Sequence, residues 1–401
     1  NHSATYNSYL SVGKKIVFFR GRYPDMSTSG PPGFRLLNLS VQDFRGIDSL
    51  QLDFTDASGE PIALAVLAGD NGCGKTTVLE AILLLLGRDD LLPEDVAPEL
   101  EQVRFGAKNF RLKSELRFAQ DTAIERFFAG REYRRRLLGN SQLHSSPGPD
   151  GQIDWPVPDG FTWGYHGVQW PSVEYFSARR EPESLGATPG PKGARSSAES
   201  RRLVELKRRL ISTYYRSLRS AKQGTLPGIA TPFERLQALW QRFSTTPQTL
   251  DVIPVSNNPG SGDEVVLRDA RLPIPSDVTS LEQARQLAPS RTDIPRMVPL
   301  DRLSSGQLSL FAFAGPLIFR DQPADIVLID EPEQHLHVQW QRLLLPALRE
   351  LSPTSQFFVA THSTEILEAA LSYERFILVS DSDPRAGDDS PSSTTEAAER
   401  G

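Results

Sequence analysis

The 401-residue chain has a single cysteine, Cys73, and two methionines. One cysteine excludes an internal disulfide framework and any metal centre built on several thiolates, and it fits a reducing, cytoplasmic setting. Long apolar runs are also missing. The richest, 78–87 and 308–319, fall short of the ~20 residues of a membrane span, and Pro316 interrupts the second. An overall positive field is absent too: 44 Lys and Arg face 50 Asp and Glu, so net charge does not announce nucleic acid. Lysine itself is scarce beside arginine, which reads as the codon bias of a GC-rich genome. What is present is the composition of a globular protein, 38% hydrophobic and 23% charged, which excludes a chain disordered throughout.

Pattern is unevenly spread along the chain. Residues 1–33 read as an N-terminal extension. From Phe34, residues 35–41 and 47–54 alternate apolar and polar side chains, as half-buried strands do. Residues 62–68 (IALAVLA) form a continuous apolar run, the mark of a strand covered on both faces. A helix over 75–86 then ends at Gly87. Strands are expected over 111–118, 131–138 and 173–177, with irregular loop over 141–172 and a linker over 180–197. Two amphipathic helices come next, 200–222 with Leu203, Leu206, Leu210, Tyr214 and Leu218 as its stripe, and 232–243. Residues 251–300 read as loops around one hairpin, 250–255 with 264–272. Residues 381–401 are poor in large apolar groups and read as a disordered tail.

Three motifs carry chemistry. Gly69-Asp-Asn71-Gly72-Cys73-Gly74-Lys75-Thr76 matches the phosphate-loop pattern G-x-x-x-x-G-K-[ST], with Thr77 next. Its glycines let backbone N–H groups wrap a phosphate, and the following helix aims its positive end at the anion. Lys75 reaches the β- and γ-phosphates, and the Thr76 hydroxyl suits Mg²⁺. Cys73 is read as a small filler, with thiol reactivity left open by the helix N-terminus beside it. Residues 326–331 (IVLIDE) are a strand ending in two carboxylates: Asp330 for Mg²⁺, Glu331 to orient or deprotonate the attacking water. A second apolar strand, 356–360, leads into Thr361-His362, where the imidazole either donates to the γ-phosphate or serves only structure. Ser304, Ser305 and Gly306 precede an apolar helix; they read as its N-cap, as a phosphate site for another subunit, or as both.

Together these segments resemble the ABC-class ATPases, and within them the RecF/SMC/OLD-like group in the form found in anti-phage defence. The matching pieces are NLSVQDFRGIDSLQLDF, VLAGDNGCGKTTVLEAI, VEYFSARR, LSSGQLSL, IVLIDEPEQHLHVQWQ and FFVATHSTEIL, in the family's order. The resemblance implies an α/β fold: an ABC-type P-loop head with a central, mostly parallel sheet, an antiparallel β subdomain and a helical insertion. It implies lobe I over 34–130, an insertion over 131–300 and lobe II over 301–380. It implies ATP and Mg²⁺ as ligands, bound by Asn71 through Thr77, and a head-to-tail dimer in which Ser304–Gly306 of one chain meets the ATP of the other. Glu331 then acts as general base and His362 as switch residue, with Lys75 completing the catalytic set. Arg45 matches a nucleotide-binding position, and Gln120 is the best match to a glutamine that senses Mg²⁺. His335–His337 would form a loop touching the partner; a metal-binding pair is the alternative.

The spacing between the motifs narrows the family. The gap between Lys75 and Ser304 exceeds what a transporter subunit needs, yet it lacks the sustained heptads of an SMC coiled coil. The stretch after His362 is too short for a Toprim nuclease domain. The expectation is therefore an ATPase that regulates a separate effector protein in bacterial anti-phage defence, with no membrane partner. A RecF-like DNA-repair ATPase is the alternative. Between Arg195 and Lys222 nine basic residues face two acidic ones, which suggests a surface for nucleic acid or an acidic partner, or simply a solvated helix face.

Overall fold

A computed structural model describes residues 33–92, 102–107, 109–120, 123–134, 142–144, 171–178, 198–222, 231–320 and 322–379. The expected N-terminal extension before Gly33, the linker 180–197 and the tail 381–401 lie outside the described residues, as does most of the loop 141–172. The chain divides into two compact units, 1–175 with 325–331 and 354–401, and 176–324 with 332–353.

The first unit holds two sheets. β1 (Gly33–Leu36), β2 (Asn38–Phe44), β3 (Ile47–Asp53), β5 (Asn109–Gln120), β6 (Ala123–Arg134) and β7 (Gln142–His144) pair antiparallel, in the order β3-β2-β5-β6-β7 with β1 also on β5. The expected single strand over 35–41 is thus two strands broken at Leu37, whose N–H donates to Glu115 O. The strand expected over 131–138 begins earlier: β6 starts at Ala123 and pairs antiparallel along the whole of β5.

The other sheet runs β14-β4-β13-β12-β8, with β4 (Leu64–Gly69), β8 (Val173–Phe176), β12 (Ile326–Asp330), β13 (Gln356–Thr361) and β14 (Arg375–Leu378). Its β4, β12, β13 and β14 are parallel. Every residue of β12 and β13 is buried, which explains their unbroken apolar sequences. Register puts Asp330 beside Ala360, Thr361 beside Ala68 and Leu378 beside Gly69, so the functional residues end their strands at one edge. Helix α1 (Lys75–Leu85) leaves that edge. It stops as predicted: Gly87 takes φ +66°, its N–H bonds Leu84 O, and Arg88 N–H bonds Leu83 O, a Schellman ending.

The second unit contains α2 (Ala198–Lys222), α3 (Pro232–Phe243), β9 (Gln248–Pro254), β10 (Asp263–Asp269), α4 (Leu281–Leu287), β11 (Met297–Pro299), α5 (Ser305–Phe319) and α6 (Val338–Leu351). β9, β10 and β11 form a small antiparallel sheet. Helix α5 falls in the same unit as the inserted helices α2 and α3, whereas β12 falls in the other. Gly315 lets α5 approach α2, since a Cβ there would stand 3.0 Å from Leu206 Cδ1. Trp240 of α3 stacks on Phe311 of α5 at 5.3 Å. On α2, Leu203, Leu206 and Leu210 are buried as expected, but Leu218 is exposed. Fifteen residues at 3.6 per turn rotate it away from the stripe that Leu203 begins.

Candidate active site

The phosphate loop is shaped by three glycines with positive φ: Gly69, Gly72 and Gly74. Gly69 also has no room for a side chain, because a Cβ would stand 2.1 Å from Leu378 O. Gly74, in the left-handed region, is the N-cap of α1. Asn71 and Gly72 are exposed at the loop, while Cys73 is buried as the filler reading expects.

Lys75 is 5% exposed, and its ammonium donates to Gly69 O and Asp70 O, each at 2.9 Å. The same Nζ lies 3.3 Å from His362 Nδ1. An ammonium has only donors, so Nδ1 is the acceptor and the imidazole proton sits on Nε2. Nε2 lies 3.5 Å from Glu331 Oε1. His362 therefore bridges the phosphate-loop lysine and the second Walker B carboxylate. Glu331 follows β12 with φ +45°, a conformation disfavoured for a residue with a Cβ, and its N–H is anchored on Ala360 O at 2.8 Å.

Thr76 Oγ1 donates across both oxygens of Asp330, at 3.0 and 2.9 Å. Asp330 is 1% exposed. A hydroxyl beside a buried carboxylate is a hard-oxygen pair of the kind Mg²⁺ takes, with water and phosphate oxygens filling the other positions. Among the described residues no group of three or more His, Cys, Asp or Glu forms a metal cage, so the His335/His337 metal alternative has no third ligand there. Instead His337 Nδ1 caps α6, accepting from Gln339 N–H at 3.3 Å.

Arg45 sits in the β2–β3 turn with φ +50° and forms an ion pair with Glu80 of α1. Sequence reasoning missed Glu80, although the signal was there: one carboxylate in the apolar run VLEAILLLL. Gln120 is a correction. β5 reaches the phosphate-loop side of its sheet near Arg111, which pairs with Gln42, whereas Gln120 pairs with Ala123 at the opposite end. Nine residues of strand put it about 30 Å beyond Arg111. The glutamine match rested on order along the chain and not on register.

In the second unit, Ser304 caps α5 in a capping box: Gln307 N–H donates to Ser304 Oγ at 3.4 Å, and Ser304 N–H donates to Gln307 Oε1 at 3.0 Å. Ser304 and Ser305 are exposed and Gly306 is buried. A Cβ on Gly306 would stand 2.4 Å from His335 O, so the start of α5 lies directly on the His335–His337 loop. On α2, Arg208 and Arg209 both donate to Glu205, which holds that carboxyl down at about 2.

The phosphate loop, the carboxylate-ending strand and His362 at one sheet edge are the parts of a P-loop nucleotide site, and two family models match parts of the chain. Residues 281–368 match the family described as "AAA domain, putative AbiEii toxin, Type IV TA system", and 38–157 match another described as "AAA domain". Among individual proteins, the chain is similar to the Septu protein PtuA of Bacillus thuringiensis, with 36% identity over 58 residues. That match spans 14% of this chain and only 15% of the relative's length. Among solved structures, an SMC head bound to the C-terminal winged-helix domain of ScpA aligns at 16% identity and TM-score 0.48, covering 84% of this chain and 92% of that one. The SMC head domain of Thermotoga maritima aligns at 17% and 0.46, with the same coverages. The recombination mediator RecF aligns at 15% and 0.41, covering 88% and 100%. No helix among the described residues is long and apolar enough to cross a membrane.

Proposed function

We propose that this chain binds and hydrolyses MgATP, dimerises head to tail on ATP, and thereby regulates a separate effector protein in bacterial anti-phage defence. The observation that carries this reading is the convergence of Lys75, Thr76, Asp330, Glu331 and His362 at one strand edge. The two AAA-domain matches and the local identity to PtuA support the defence setting.

In this reading the backbone of Asn71 through Thr77 cradles the phosphates, and Lys75 exchanges its two carbonyl acceptors for phosphate oxygens. Thr76 and Asp330 would hold Mg²⁺, which would supply charge neutralisation for phosphoryl transfer. Glu331 accepts the proton of the attacking water, giving ADP and phosphate. His362 keeps Glu331 oriented through Nε2–H and faces the phosphate with its ring. Ser304, Ser305 and Gly306 of a second chain complete the site with the positive end of α5.

The test is Glu331→Gln. Hydrolysis should fall about 100- to 1,000-fold, the size of a lost general base. ATP binding should persist, and an ATP-dependent dimer should accumulate in light scattering. Hydrolysis at the wild-type rate would overturn the assignment. The second reading, an ATPase acting directly on DNA, is favoured by exposed Arg208, Arg209, Arg216 and Arg219 on α2. Salt-sensitive DNA binding that disappears in Arg208→Glu/Arg209→Glu would select it.

A further inference from the structure

Arg45 is held more firmly than a turn arginine needs to be. Its N–H donates to Gln102 O at 2.7 Å, while Asp43 O accepts from Arg104 N–H at 2.9 Å. The turn is thereby fastened to the segment 102–107, with Phe44 and Val103 bridged between them. The guanidinium lies 5.2 Å above the Phe44 ring, which is itself braced edge-on by Phe110 at 5.1 Å. Its Nη1 donates to Glu80 Oε2. Its Nη2 is buried and has no hydrogen-bond partner.

Glu80 is as unusual as the arginine. It is 4% exposed, the one carboxylate in α1, and it lies in the apolar run that follows the buried Lys75 and the two threonines. It stands four residues after Thr76, so it lies on the same face of α1 as the hydroxyl beside Asp330, one turn further along. The turn that carries Arg45 also reaches the phosphate loop: a Cβ on Gly74 would be 3.5 Å from Ile47 Cγ1. A buried donor left unpaired costs about 1–3 kcal/mol, and a guanidinium offers its donors as a planar fork suited to phosphate.

We propose that Glu80 is a positioning residue of the nucleotide site: it grips one edge of the Arg45 guanidinium so that the other edge, Nη2, donates to a phosphate of ATP. The proposal rests on reading the site as ATP-binding. It assigns the buried carboxylate a task at the ligand, where packing alone would put an alanine or leucine.

The test is a double-mutant cycle on MgATP affinity, measured by calorimetry on the full chain, with thermal unfolding of each nucleotide-free variant as a folding control. Arg45→Ala should weaken ATP about tenfold, the value of a charge-assisted contact. Glu80→Ala should weaken it by a similar factor, and the double variant by no more than Arg45→Ala alone. Glu80→Gln, which keeps an acceptor for Nη1, should recover most of the loss. Four results overturn the proposal: wild-type affinity in Arg45→Ala, multiplicative losses in the double variant, wild-type affinity in Glu80→Ala, or tighter ATP binding in Glu80→Ala. The last would mean that Glu80 competes with ATP for the arginine. A wild-type chain that fails to bind ATP would sink the broader ATPase reading, while wild-type binding with an unaffected Arg45→Ala would sink only this inference.

Discussion

The two units of the molecule use buried polar groups in opposite ways. In the second unit half-buried side chains pair with one another, although the buried Trp240 Nε1 has no partner: Asp251 accepts from Tyr214 at 3.1 Å and from Arg268 at 2.8 Å, and Lys207 meets Glu264 at 2.7 Å. Those pairs tie α2 to β9 and β10 and join β9 to β10. In the first unit Lys75 and Asp330 are buried together at one strand edge. Lys75 is held by main-chain carbonyls and Asp330 by Thr76 Oγ1, and Glu331 follows in a backbone conformation that a side chain disfavours. One set joins elements of the fold, and the other lies at the candidate site. Polar burial alone therefore does not mark a site; polar burial with provisional partners does.

The contrast can be broken at either end. Lys75→Ala should produce the largest functional effect, weakening ATP by about 100-fold in a binding titration through loss of a charge-assisted contact. Its melting temperature should hardly fall, because Gly69, Asp70 and His362, which the ammonium now touches, are none of them buried. Trp240→Ala should do the reverse. Trp240 is 1% exposed between Phe311 and Trp340, and truncation should cost about 3–5 kcal/mol in denaturant unfolding. ATP affinity of the folded fraction should stay near wild type. Equal losses of both properties in either variant would mean that the two units are not separable in this way.

Smaller effects sharpen the same division. Thr231 caps α3, accepting from Glu234 N–H at 3.2 Å, and Thr231→Ala should cost about 1 kcal/mol of stability without touching ATP binding. Tyr214 provides a pH signature. Burial first, and then the Asp251 carboxylate, push its phenol up to about 12, from about 10 when unfolded. The raised value favours the neutral form in the fold. Its contribution is therefore complete below pH 10 and disappears as pH rises from 10 to 12. In Tyr214→Phe that part of the alkaline stability loss should be absent, as read by unfolding at pH 9, 10 and 11.

Local chemistry was what the sequence made legible. The phosphate loop, the Asp330–Glu331 strand end, His362 and the capped start of α5 each announce themselves within a few residues. Helix α3 starts at Pro232 and α1 ends at Gly87 for reasons visible in those residues alone. Helix α4 was missed inside a segment read as loop, although Ser280 caps it and Gln283 returns the bond to Thr279 N–H. Seven residues are too few to display a period. Pairings across long separations were out of reach. The Gln120 assignment failed because strand register decides which end of β5 faces the loop. The Arg45–Glu80 pair needed the β2–β3 turn to be brought against α1, and only the buried acid among leucines hinted at it.

The crowding of Gly69 by Leu378 O has a consequence for how the protein is made. The first glycine of the phosphate loop is packed against the final strand of the sheet, which pairs with β4. Roughly 300 residues separate Lys75 from Leu378, so at ribosomal rates on the order of 10 residues per second the loop is synthesised about half a minute before its wall exists. Asp330 and His362 arrive in the same late stretch. A nascent chain stalled before residue 375 should carry every residue of the phosphate loop and still hold nucleotide poorly, so that ATP engagement marks completion of the sheet as well as the presence of substrate.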